Sequence, residues 1–297
     1  MSDSSSSAGI DHDPGVSVDD NPRRPAGPGR IRSWLRVSGS VGTLGIGTSV
    51  LWLSIIVLLP LAALTAKSFE DGWSGFWDAI TAPGALDALK VTVFVSIIVT
   101  LINVVMGTLI AWVLVRDEFP GKGFVNALID LPFALPTIVA SIVLLALYGP
   151  QSPFDIHLNA TQPGLVVALA FVTLPFVVRE VEPVLHEIGD DQEQAAATLG
   201  ASGWQTFWRI TLPAIRWGLT YGIVLTVARA LGEFGAVIMV STGLPGKSQT
   251  LTLLVNGRYV NDHNTFGAYC AATLLMGIAL VVLLLMTLLE RKRGTAK

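Results

Sequence analysis

Five stretches of this chain, 37–66, 91–115, 131–154, 158–178 and 264–289, run for 21 residues or more without one charged side chain. A sixth, 217–243, is interrupted only by Arg229 and Glu233. About 20 apolar residues cross a bilayer as helix. In hydrocarbon no water replaces a missing backbone partner, so such stretches are predicted to be helices rather than open strands. The reading is an all-α, polytopic membrane protein with six transmembrane helices. The remaining composition agrees: 52% of the residues are apolar and 14% charged, with a mean hydropathy of +0.61, outside the range of a soluble globular domain.

Residues 1–36 differ, being rich in Ser, Asp, Pro and Gly, with Arg23, Arg24, Arg30, Arg32 and Arg36 ahead of the first span. A cleaved signal would place a shorter apolar run nearer the N-terminus, so an uncleaved signal anchor behind a disordered cytoplasmic tail is expected. A docking segment for a partner is the functional alternative. The transmembrane core then occupies 37–290, and 291–297 forms a short basic tail. With the N-terminus inside, the inner side also holds Arg116, Lys122, Arg209, Arg216, Arg291, Lys292, Arg293 and Lys297, thirteen cations with the tail. The outer side holds four, Lys67, Lys90, Lys247 and Arg258. The positive-inside rule therefore puts both termini, and the polar segment 185–216, in the cytoplasm. Cys270 is the lone cysteine, and His12, His157, His186 and His263 lack metal-ligand spacing.

The polar segment reads Asp190-Asp191-Gln192-Glu193-Gln194-Ala195-Ala196-Ala197-Thr198-Leu199-Gly200-Ala201, and nine residues separate Gly200 from Ile210-Thr211-Leu212-Pro213. Asp190 or Asp191 can start a helix, with Glu193 in the acidic place of a capping box. Gly200 suits the left-handed turn that ends it. A second short helix is expected from Ser202, with Trp204, Phe207, Trp208 and Thr211 on one side, and Pro213 fits the first turn of the next span. On physics alone this is equally an amphipathic hairpin lying on the membrane without a partner. The spacing of the two alanines, Gly200, Ile210 and the Leu212-Pro213 pair resembles the EAA loop of ABC importer permeases. That resemblance implies that Glu193, Gln194, Ala195, Ala196, Gly200, Leu212 and Pro213 couple the chain to a separate ATPase. Gln194 stands where the family has its first glutamate, and Glu193 lies one residue earlier, about 100° round the helix.

Within the spans, Arg229 lies 12 residues past Trp217, about 18 Å along a helix and so near the bilayer centre. Facing lipid there would cost about 2.5–3.5 kcal/mol, so it is expected to face the bundle. Glu233 is four residues on and would share its face. The two form either a structural ion pair or a charge on a translocation path. Arg179 and Glu180 lie near the inner end of the fourth span, where Arg179 either snorkels to headgroups or lines the path. Asp130 precedes Leu131-Pro132-Phe133-Ala134-Leu135-Pro136. Pro132 and Pro136 must kink or break the third span, which is tolerable where the freed carbonyls meet protein or a cavity. The run Ser241-Thr242-Gly243-Leu244-Pro245-Gly246-Lys247-Ser248 nearly matches a phosphate loop, but begins with Ser241 in place of glycine and falls on the outer side.

The run from Ala228 to Ala236 looks like the fifth-helix motif of sulfate and molybdate permeases. Residues 50–290 as a whole resemble permeases of the sulfate/thiosulfate ABC importer, more its W type than its T type. Phe133-Ala134, the run from Phe176 to Glu180, the run from Leu199 to Gln205, and Ile215-Arg216-Trp217 carry that likeness. It implies the type I ABC importer permease fold, with the coupling loop between helices 4 and 5. It further implies a T-type permease partner, an ATPase dimer carrying the ATP and Mg, an extracytoplasmic sulfate-binding protein, residence in a bacterial inner membrane, and neither a cofactor nor catalysis on this chain. No nucleic-acid partner is expected. Molybdate or tungstate import is the alternative within the family. A proton-coupled secondary transporter using Asp130, Glu180, Arg229 and Glu233, or a scaffold, are the alternatives outside it.

Overall fold

A computed structural model describes residues 39–294, with side chains over 44–288. The 1–36 tail and the end of the basic C-terminal tail lie outside the described residues. Those residues fall into two units, one ending at Ile56 and one beginning at Val57. The first contains helix α1, Gly39–Leu53, whose described side chains are exposed. A π-helical turn, Ser54–Leu58, follows it.

The second unit opens with α2, Leu59–Ser68, and α3, Gly72–Thr81. The sequence reading had no element at α3. It is a short amphipathic helix that buries Phe76 and Ile80 against Cys270 and Phe266, and its other face carries Trp73 and Trp77 into the open. Helix α4 is Pro83–Arg116, with proline in its first turn and Arg116 as its last residue. Then come α5, Lys122–Ala134, and α6, Thr137–Tyr148; α7, Gln162–Ile188; α8, Asp191–Thr198, and α9, Gly203–Thr206. The last four are α10, Leu212–Gly232, α11, Gly235–Val240, α12, Leu251–Asn256, and α13, Thr265–Gly294. Among the described residues there is no strand.

Five helices are long and apolar enough to cross a membrane: Leu44–Ser68, Pro83–Arg116, Gln162–Ile188, Gly203–Gly232 and Thr265–Leu288. The pair α5 and α6, bent by 116°, makes a sixth if taken as one span. The third span, 131–154, expected to kink or break at Pro132 and Pro136, is broken. Pro132 sits within α5 without ending it, while Leu135 is extended at φ −89° and ψ 137°. The break falls there because the Cδ of Pro136 disfavours helical backbone at the preceding residue. The span 217–243 is corrected. Its helix stops at Gly232 and Glu233 is extended, with φ −72° and ψ 129°.

The centre of the second unit is α7, packed against α4 on one side and α10 on another. Val91, Val95 and Val99 of α4 meet Leu165 and Leu169 of α7. Asn103 Nδ2 donates to Thr173 Oγ1 at 2.7 Å between the same two helices. Close approach rests on glycines: a Cβ at Gly107 would lie 2.8 Å from Val177 Cβ, and one at Gly218 would lie 2.6 Å from the Glu180 carbonyl oxygen. In lipid, where burial of apolar surface drives helices together only weakly, such small-residue contacts do the packing. The opposite face of α4, with Phe94, Ile97, Leu101 and Val105, stays exposed, which in hydrocarbon carries no penalty.

Candidate functional site

Helix α8 begins after Asp190, but the Asp190 side chain makes no capping bond. Its Oδ2 instead accepts from Gln194 Nε2 at 2.7 Å. The expected capping box with Glu193 is therefore absent; the box forms one helix later, where Ser202 and Gln205 cap α9 reciprocally. Gly200 has φ +83°, and the N–H of Ala201 reaches back to the Ala196 carbonyl at 3.0 Å, closing α8 as a glycine-terminated helix does. Ala195 is exposed and Ala196 half-buried. Leu199, at the tip of the turn, is 89% exposed. Leu212 packs into the core beside Leu185 and Ile215, and Pro213 lies in the first turn of α10.

The aromatic face of the second short helix is only partly as expected. Trp204 and Trp208 are exposed and their rings meet edge to face at 5.4 Å, while Phe207 stacks on Trp112 of α4 at 5.1 Å. Thr211 is not on their side. A π-helical turn over Phe207–Thr211 shifts the register, and Thr211 is buried. From Gly203 to Gly232 the backbone is one helical run.

Glu193 turns inward. Its Oε2 accepts from Arg116 Nε at 3.0 Å, and its Oε1 accepts from Arg116 Nη2 at 3.3 Å and from the Thr211 hydroxyl at 2.7 Å. The same guanidinium donates to the Leu185 carbonyl at 3.3 Å and the Gly189 carbonyl at 2.7 Å. A groove of 490 Å³ adjoins this cluster, lined by Trp112, Val113, Arg116, Asp117, Glu193 and Gln194 among others. The sequence reading counted Arg116 only as an inner-side charge. No short-range signal links it to Glu193, 77 residues away.

The two helix breaks, 98 residues apart along the chain from Leu135 to Glu233, pack together. Ser141 Oγ of α6 donates to the Ala236 carbonyl of α11 at 2.9 Å, and a Cβ at Gly235 would stand 2.2 Å from Thr137 Oγ1. Glu233 is 2% exposed. Its Oε1 accepts from the Ala236 N–H at 2.9 Å, and its carbonyl accepts from Thr252 Oγ1 at 2.9 Å. Arg229 Nη2 stands 2.8 Å from Oε2. That contact is an ion pair by distance without hydrogen-bond alignment, for Oε2 has no hydrogen-bond partner. The expected pairing is present, but Glu233 is past the helix end rather than on a shared helical face. The Arg229 side chain is 41% exposed. Beside this break a groove of 590 Å³ is lined by Gly232, Phe234, Thr252, Asn256, Tyr259 and Met276 among others.

Arg179 does not stand alone at a helix end, since α7 continues to Ile188. Its guanidinium grips Asp130 of α5 in a two-pronged fork, Nε to Oδ1 and Nη2 to Oδ2, both at 2.7 Å. It also contacts Glu182 and Asn126. This is the planar bidentate geometry for which arginine is suited. The phosphate-loop look-alike closes on itself: Ser248 Oγ is within 3.0 Å of both Ser241 Oγ and Thr242 Oγ1 and accepts from the Thr242 N–H. Its hydroxyl is buried rather than presented to a ligand. Among the described residues no group of three His, Cys, Asp or Glu side chains could hold a metal.

Comparison with known proteins bears on this arrangement. Residues 103–295 match the family described as the inner membrane component of binding-protein-dependent transport systems. The chain belongs to that family. It is 44% identical over 256 residues to the sulfate transport system permease protein CysW of Synechococcus elongatus, covering 84% of this chain and 89% of the relative. It is 39% identical over 259 residues to the sulfate transport system permease protein CysT of Escherichia coli, covering 85% and 93%. Among solved structures, a chain of a bacterial alginate ABC transporter in complex with its oligosaccharide-bound periplasmic protein matches with a TM-score of 0.72 at 16% identity, covering 85% of this chain and 94% of that one. The last likeness shows the fold alone, the all-helical fold of that transporter's membrane chain.

Proposed function

We propose that this chain is a membrane-spanning subunit of an ATP-driven sulfate importer, working beside a homologous T-type permease, two copies of a separate ATPase and an extracytoplasmic sulfate-binding protein. The observation that carries the proposal is the 44% identity over 84% of the chain to a sulfate permease. The loop from Asp190 to Pro213 supports the ATP-driven part. Its α8, turn and α9 offer an exposed alanine face and the Leu199 knob, while its root is anchored on α4, α7 and α10. The thirteen cations that would share one side with that loop support a cytoplasmic location for it and for both termini. ATP and Mg belong to the partner, and this chain contributes motion rather than chemistry.

For a dianion the path needs a positive charge that does not trap it. Arg229 is half-exposed while its counter-charge, Glu233, is buried, so the guanidinium can attract an anion and Glu233 limits how tightly it holds. Both broken spans flank this pair and supply irregular backbone where a path requires it. The Arg179–Asp130 fork ties α5 to α7 nearer the inner side and acts as a latch of the same path. Molybdate and tungstate are isosteric competitors. In proteoliposomes holding the full complex, sulfate uptake should require enclosed ATP and the binding protein outside, and should persist with a protonophore. Uptake driven by a proton gradient without ATP would assign the chain to secondary transport instead.

A further inference from the structure

We infer that Arg116, Glu193 and Thr211 form the mechanical joint that passes movement of the coupling loop into the membrane, with Arg116, outside the loop, and Thr211, between its Ile210 and Leu212, as positioning residues. The inference rests on the coupling role proposed above. Arg116 is the last residue of α4, Leu185 is in the last turn of α7, Glu193 is in the first turn of α8, and Thr211 immediately precedes α10. One carboxylate and one guanidinium therefore fasten the ends of α4, α7 and α8 and the π-helical turn that leads into α10 at a single point. The two side chains are 15% and 16% exposed, and most of their hydrogen-bonding capacity goes to each other and to neighbouring helices.

The geometry is that of a rigid coupling. The guanidinium meets both oxygens of Glu193, an arrangement that fixes orientation as well as distance. Its remaining N–H groups take the Leu185 and Gly189 carbonyls, and a cation there also suits the C-terminal end of the α7 dipole. Gly189 has φ +63° and ψ −168°, a backbone region essentially closed to other residues, and this conformation accompanies the 2.7 Å bond from its carbonyl to Arg116. Thr211 then links the carboxylate to the root of α10, whose far end carries Arg229 and the break at Glu233. A push on α8 thus reaches α4, α7 and α10 together. Gln194, at the family's glutamate position, bonds Asp190 of its own helix on the exposed side and is not part of the joint.

The test uses the whole complex, this chain with its permease partner, ATPase and binding protein, in proteoliposomes. Sulfate uptake and ATP hydrolysis are measured in the same vesicles. Thr211→Val removes one hydroxyl at nearly constant shape; Arg116→Lys keeps the charge but cannot make the fork. The joint predicts an assembled complex that still hydrolyses ATP, with sulfate carried per ATP falling about threefold for Thr211→Val and about tenfold for Arg116→Lys, the range expected for losing one and then several charge-assisted hydrogen bonds. An unchanged ratio overturns the joint, whether both rates hold or fall together. Loss of assembly in both variants overturns it too, because the cluster then only holds the fold. A parental complex without ATP-dependent uptake refutes the importer reading instead, so the two failures are distinguishable.

Discussion

Glu233 has three tasks at the end of α10: it accepts from the Ala236 N–H in the first turn of α11, it pairs with Arg229, and its carbonyl anchors Thr252. Substitutions separate them. Glu233→Gln keeps an acceptor for the Ala236 N–H and removes the charge, whereas Glu233→Ala leaves that buried N–H bare, a loss of about 1–3 kcal/mol. Thermal unfolding of the purified complex should therefore show a larger drop for Ala than for Gln. With Gln the unpaired Arg229 should bind the anion more tightly and release it more slowly, lowering the maximal uptake rate while sulfate affinity rises. Equal stability losses for both variants would remove the capping task. Arg229→Ala should cut uptake without affecting assembly, seen as a normal yield of intact complex. At this scale much was legible in the sequence. A charge within an apolar stretch identifies itself by its insertion cost, so Arg229 and Glu233 stood out, and so did Gly200, which φ +83° requires. The pairing of Arg116 with Glu193 and of Arg179 with Asp130 was not legible, because these partners lie 77 and 49 positions away and no periodicity relates them; only Glu182, at i+3 from Arg179, lies within helical reach.

Helices α4, α7 and α10 meet through glycine contacts, and this sets what each element tolerates. A Cβ at Gly218 would press on the Glu180 carbonyl at 2.6 Å, a backbone atom that cannot swing aside, while one at Gly232 would meet nothing within 4 Å. Gly218→Ala should destabilise the complex by about 1–3 kcal/mol, as overpacking does. Gly232→Ala should be neutral or slightly favourable, since alanine is the better helix former by about 1 kcal/mol. Melting temperatures of the two variants check the contrast. Hydropathy gave the rough position of the spans, which number five, or six if α5 and α6 are taken as one, but not their ends. It could not show that α4 starts at Pro83, that α7 runs on to Ile188, or that 131–154 and 217–243 are each two helices. Apolar runs look alike whether straight or broken, and Pro136 marks only one of the two breaks. Glu233 and Phe234 break the other without any proline; the capping bond to Ala236 and the packing of Gly235 on Thr137 replace what the helix loses there.

At the scale of the whole molecule, the proposed mechanism makes the loop from Asp190 to Pro213 a lever, with the inferred joint at its root and the two broken spans at the far end of α10. Family membership and the all-helical fold agree with this division of labour, since a chain that only moves in response to another's ATP needs rigid connections more than reactive groups. The central claim is that the tip at Leu199 is where the ATPase is felt, on the cytoplasmic side. Its most direct test is Leu199→Cys in a Cys270→Ala background, which leaves one thiol in the chain, probed in membranes that contain the complete transporter. The account predicts that this thiol crosslinks to the ATPase subunit and that a membrane-impermeant maleimide reaches it, once the ATPase is stripped, only in inside-out vesicles. Labelling from the outer face, or a crosslink to no nucleotide-hydrolysing subunit, would contradict it.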